Sequence, residues 1–124
     1  MKLAVTAQGR DLDSAIDPRF GRCQYFVIID PDTEEFEAIT NQSLTASGGA
    51  GIQSAQFLAG RKVDAVITGN VGPNAARALH GAGIEVYTMT SGTVREAVKA
   101  YKEGKLSAVS GATVGSHFGM GPRR

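Results

Sequence analysis

The chain has 124 residues, 42% of them hydrophobic, and 13 Lys and Arg against 12 Asp and Glu give a formal net charge of +1. One domain of this length buries about two-thirds of its unfolded surface and folds without staples, and so even a charge argues against a nucleic-acid partner. No apolar run approaches the ~20 residues that span a bilayer, Met1-Lys2-Leu3-Ala4-Val5 lacks a signal-peptide core, and a lone cysteine excludes an intrachain disulfide or a four-cysteine site, so a soluble cytoplasmic protein is expected.

Residues 2–6 form a short β-rich run, and residues 24–30 are nearly continuously apolar, as in a strand buried on both faces. Pro31-Asp32-Thr33 supplies turn chemistry and residues 35–39 begin with polar/apolar alternation, which predicts a hairpin whose second arm is half exposed. From residue 48 the pattern becomes helix and strand in alternation: helices over 52–59, 73–79 and 94–102, strands over 64–68 and 85–89. Gly60, Gly81 and Gly104 punctuate the helix ends, Pro73 takes a first helical position, and Thr93 with Glu96 spells a capping box. The expected fold class is α/β, a mixed five-stranded sheet with the second strand antiparallel and flanking helices. The expected division is a cofactor-binding-like domain over 1–104 and a C-terminal segment over 105–124 with a glycine-rich tail.

Ser47-Gly48-Gly49-Ala50-Gly51-Ile52-Gln53 places three glycines where a helix begins, which bares N–H groups and the positive end of the helix dipole to an anion. Thr68-Gly69-Asn70-Val71-Gly72-Pro73 and Thr90-Ser91-Gly92-Thr93 repeat the device. With a hairpin first and right-handed crossovers after it, all these loops gather at the carboxyl edge of the parallel strands, where open α/β sheets bind ligands. The loop Asp17-Pro18-Arg19-Phe20-Gly21-Arg22-Cys23 reaches the same edge with two guanidiniums and a thiol, and Arg10 lies upstream in the same connection. Guanidinium suits multivalent anions, and nearby positive charge makes a thiolate more available. The alternative is a buried structural cysteine among surface arginines.

The glycine loop lacks the Gly-Lys-Ser/Thr ending of a phosphate-binding loop, which weakens nucleotide binding. His80 ends the second helix at the opposite edge and reads as structural, whereas His117, with Met120 as a soft neighbour, belongs to the tail and is a metal-ligand candidate. Clustered carboxylates, a Cys–His pair outside the tail and a nucleophile elbow are all missing, so no enzyme is expected.

Ile16-Asp17-Pro18-Arg19-Phe20-Gly21-Arg22-Cys23, then Gly48-Gly49-Ala50-Gly51-Ile52-Gln53, then Gly69-Asn70-Val71-Gly72-Pro73-Asn74-Ala75, resemble in content and order the dinitrogenase iron–molybdenum cofactor biosynthesis family, through Tyr101. The resemblance implies a three-layer, ribonuclease-H-like α/β fold. It also implies a small protein that binds or carries an iron–sulfur or iron–molybdenum-type cluster or its precursor, transiently, with metallocofactor assembly or acceptor proteins as partners. Under that reading the binding residues are Arg10, Arg19, Arg22, Cys23, Ser47, Gly48, Gly49, Gly51, Asn70 and Gly72, with Cys23 and His117 as metal ligands. The rival is a regulatory or adaptor module that takes an anionic metabolite or a partner protein at the same edge without metal. The oligomeric state is left open.

Overall fold

A computed structural model describes residues 1–42 and 49–110. Three strands come first, β1 (Leu3–Ala7), β2 (Tyr25–Ile29) and β3 (Phe36–Thr40). Helices and strands then alternate through α1 (Ala50–Gly60), β4 (Ala65–Thr68), α2 (Pro73–Gly81), β5 (Glu85–Thr88), α3 (Val94–Lys102) and β6 (Ala108–Val109). They build one sheet in the order β3-β2-β1-β4-β5-β6. β1, β4 and β5 run parallel, β2 is antiparallel to both β1 and β3, and β6 is antiparallel to β5. The mixed sheet with an internal, reversed second strand is as expected. The count is six rather than five, and β6 lies past residue 104, so the described part of the 105–124 segment extends the same sheet. Two residues are too short a run for hydrophobic periodicity to mark.

Alternation along the central strands feeds two cores. Ala4, Phe26, Ile28, Val66 and Val86 face α1 and α2, meeting Ala55, Leu58, Ala76 and Leu79. Leu3, Val5, Val27, Ile29, Ala65 and Ile67 face α3, meeting Val94, Ala97 and Val98. β1 and β4 are buried along their whole length, Thr6 and Thr68 included, while β3 at the edge leaves Phe36 42% exposed.

All three helices end in the same motif, with the left-handed residue one place after the cap: Lys62 (φ 61), Gly83 (φ 78) and Gly104 (φ 71). In each, that residue's N–H and the next bond back to carbonyls of the last turn, as in Lys62 N to Ala59 O at 3.0 Å and Val63 N to Leu58 O at 3.2 Å. Gly60 and Gly81 are instead the last helical residues, so of the three glycines expected beyond helix ends only Gly104 holds that place. α3 starts with the expected capping box: Glu96 N donates to Thr93 Oγ1 at 3.1 Å and Thr93 N to Glu96 Oε1 at 2.9 Å.

Candidate functional site

The register pairs Ala7 with Tyr25 and Tyr25 with Thr40, so the ends of β1 and β3 share an edge with the residues that enter β2, and β4 and β5 end there as well. A buried polar seam fastens the long first loop to it. Asp17 N donates to Thr6 O at 2.8 Å, and Thr6 Oγ1 donates to Asp17 O at 2.6 Å and shares a hydrogen bond with Thr68 Oγ1 at 2.9 Å. Pro18 O then accepts from Asn70 N at 2.7 Å, so the arginine loop lies alongside the loop after β4.

Between these loops and the starts of α1 and α2 opens a groove of about 340 Å³. Its walls are Phe20, Gly21 and Arg22 on one side, Gly49, Ala50, Gly51 and Ile52 on the second, and Asn70, Gly72, Pro73, Asn74 and Ala75 on the third. The walls touch at backbone level. A Cβ on Gly21 would sit 2.7 Å from Gly51 N, and one on Gly51 would sit 2.9 Å from the Cβ of Ala75. Phe20 is 2% exposed and anchors its wall on Phe26, ring centroids 6.1 Å apart.

Both helices enter the groove through glycine N-caps, Gly49 at φ 72 and Gly72 in extended conformation, and neither has a side-chain cap or an acidic residue in its first turn. The first intrahelical donors are Gln53 N to Gly49 O and Ala76 N to Gly72 O, both at 2.9 Å. The earlier N–H groups of Ala50, Gly51 and Ile52, and of Asn74 and Ala75, therefore precede the helical ladder, and two positive dipole ends converge on one cleft. The third expected anion loop, at Thr90–Thr93, is different, because Glu96 already supplies a carboxylate to the start of α3.

The candidate residues separate into groups. Arg22, Gly49, Gly51, Asn70 and Gly72 line the groove, and Arg22 is its one ionised side chain among the described residues. Arg19 does not line it: Asp17, whose side chain is wholly buried, takes Arg19 Nε and Nη2 at 3.2 Å each and Arg19 N at 3.1 Å. These bonds hold the Arg19 guanidinium above its usual pKa. Arg10 also lies outside the lining, with its guanidinium carbon 5.6 Å from the centre of the Tyr25 ring. Ser47, Gly48 and His117 are outside the described residues.

Cys23 is fully buried in the core beneath the groove, beside Phe20, Phe26 and Val71. The expected acidification by neighbouring arginines is reversed: burial pushes the thiol up, the carboxylate of Asp17 adds to this, and the amide of Asn41 and the charge of Arg19 only partly offset it. Among the described residues no group of three or more His, Cys, Asp or Glu is placed to hold a metal. His80 lies at the other edge, as expected, with Nε2 3.1 Å from Val109 O. Two features escaped the sequence reading, the buried carboxylate of Asp17 and the apolar lining from Phe20, Ile52 and Pro73. No helix of the described residues is long and apolar enough to cross a membrane.

Residues 1–104 match the family model described as dinitrogenase iron-molybdenum cofactor. An uncharacterized protein of Methanocaldococcus jannaschii, MJ0580, is 34% identical over 109 residues, which cover 86% of this chain and 89% of that protein. Among solved structures, the apo form of the orange protein from Desulfovibrio gigas superposes with a TM-score of 0.88 at 43% identity, over 90% of this chain and 95% of the other. A candidate NifB protein from Thermotoga superposes with a TM-score of 0.79 at 36% identity, over 90% and 96% of the two chains.

Proposed function

From the premise that this chain belongs to the dinitrogenase iron-molybdenum cofactor family, we propose that it carries an anionic metal–sulfur cluster, or a precursor of one, in the groove between the starts of α1 and α2. The observation behind this reading is the pair of glycine-capped helix N-termini that open on one cleft with Arg22 as their charged neighbour. The cargo is held by hydrogen bonds and dipoles rather than by ligation. Cys23 is buried and its thiol is pushed toward the protonated form, and among the described residues the groove walls contain no His, Cys, Asp or Glu. Hydrogen-bonded cargo leaves without a metal–protein bond having to break, which suits delivery to an acceptor protein. That the similar orange protein was solved as an apo form is in keeping with cargo that comes and goes.

The lining further favours sulfide over oxide. Exposed Ile52 and half-buried Pro73 bring apolar surface to the anion, backed by buried Phe20, Ala50 and Ala75, and among the described residues a single guanidinium offsets its charge. A compact oxyanion is strongly hydrated and loses much on entering such a cleft, whereas sulfide spreads the same charge over larger, weakly hydrated atoms. The test is an anaerobic NMR titration with tetrathiomolybdate and, separately, molybdate, two tetrahedral dianions that differ only in sulfur for oxygen. Amide shifts at Gly49 to Ile52, Asn74 and Ala75 with tetrathiomolybdate at lower concentration are the expected result. A stronger response to molybdate or phosphate would favour the metabolite-binding adaptor, and shifts centred on His80 and Gly104 would place binding at the wrong edge.

A further inference from the structure

Asn41, the residue after β3, is 4% exposed and ties two other segments together below the groove. Its Nδ2 donates to Cys23 O at 2.9 Å and Gly21 O at 3.1 Å and lies 3.7 Å from Cys23 Sγ. Its Oδ1 faces Ser54 Oγ of α1 in a long contact at 3.5 Å, and its backbone N donates to Gln24 O at 2.9 Å. Two carbonyls on one side and a hydroxyl on the other fix which way the amide points.

Arg22 stands between the two carbonyls that Asn41 holds, and Ser54 belongs to the helix whose first residues form the opposite wall. We infer that Asn41 is a positioning residue for the groove: without lining it, the amide sets the distance between Arg22 and the N-terminus of α1. This rests on the groove being the anion site. Nearby Gly21 and Gly51 leave no room for a side chain between these walls, so a shift of the Gly21 turn changes the cleft directly. Cys23 gains a role from the same arrangement. Its carbonyl and sulfur share the Asn41 amide, so loosening the latch loosens the backbone that holds the thiol in the core.

Asn41→Asp keeps the size but turns a carboxylate toward two carbonyl oxygens. In the full-length protein, tetrathiomolybdate affinity should fall by about tenfold, as the loss of two buried hydrogen bonds implies. In the ligand-free protein, alkylation of Cys23 by iodoacetamide should become about tenfold faster. Ser54→Ala removes only the long contact and serves if Asn41→Asp fails to fold, with about a threefold loss of affinity expected. Arg22→Ala is the contrast: it should weaken binding and leave Cys23 as slow to react as in wild type. A residue that only supports the fold would lower stability and leave the affinity of folded molecules unchanged. Unchanged affinity in the variants, with wild-type binding intact, overturns the positioning role alone; no wild-type response at the groove amides overturns the groove reading as well.

Discussion

Gly21 and Gly51 meet so closely that a Cβ on the first would lie 2.7 Å from the backbone nitrogen of the second. No rotamer change relieves such a contact, since both partners are main chain. Gly21→Ala should therefore cost about 1 to 3 kcal/mol in urea denaturation and displace the groove amides in an NMR spectrum of the ligand-free protein. Gly60→Ala, where a Cβ meets nothing within 4 Å, should be neutral or gain about 0.5 kcal/mol. Equal behaviour of the two variants would mean that the loops separate more easily than their packing indicates.

The two neighbouring arginines should have opposite signatures. Arg22→Ala should weaken tetrathiomolybdate binding by about tenfold in calorimetric titration with little change in melting temperature. Arg19→Ala should lower the melting temperature, because it leaves the buried Asp17 carboxylate with the backbone bond at Arg19 N but no guanidinium, and it should barely alter binding. If Arg19 turned out to be the larger determinant of affinity, the ion pair with Asp17 would have to open in the complex.

Cys23 makes stability depend on alkaline pH. The folded thiol is pushed up, so the protonated form belongs to the fold, and the unfolded thiol ionises first. Its stabilising contribution is whole below about pH 8.5 and declines above it by about 1.4 kcal/mol per pH unit until the folded thiol itself ionises. Tyr87, pushed up to about 12 chiefly by its 2.7 Å bond to Glu85, adds a loss in the same direction only above about pH 10. Urea titrations at pH 8, 9 and 10 should show this decline in wild type and a flatter profile in Cys23→Ala.

Lys62 takes a left-handed conformation that glycine holds at the ends of α2 and α3. Lys62→Gly should raise stability by about 0.5 to 1 kcal/mol, because the Cβ strain removed exceeds the chain entropy that glycine adds to the unfolded state. A lower urea midpoint for Lys62→Gly would show that the entropy wins.

Much of the frame is legible in the residues. The nearly continuous apolar run into β2, the turn at Pro31 to Thr33 and the alternation after Gly49 carry the main strands, their directions and the glycine edge. Helix ends are legible only to within a turn, since Gly60 and Gly81 could each have been the left-handed residue and the chain continues helically through both. At the site, glycines marked the groove because their meaning is local. The arginines could not be told apart, because sequence spacing does not say which guanidinium a carboxylate will claim. Asp17 reads as a loop residue open to water, and only the closure of the first loop over Thr6 and Thr68 buries it. The expected acidity of Cys23 is reversed for a like reason: the charges near it in sequence are outweighed by the hydrocarbon around it in space. Asn41 resembles any polar residue at a strand end until Gly21 and Ser54 are brought to it.

The chain enters the sheet at Leu3, at the foot of β1, and leaves it at Val109, opposite Val86 low on β5, so both crossings lie away from the edge that carries the groove. A reporter or surface anchor joined through Met1 would thus sit at the end of the sheet away from the groove. Immobilised by that end, the protein would hold the groove edge away from its tether, and tetrathiomolybdate binding could be read there at a sensor surface.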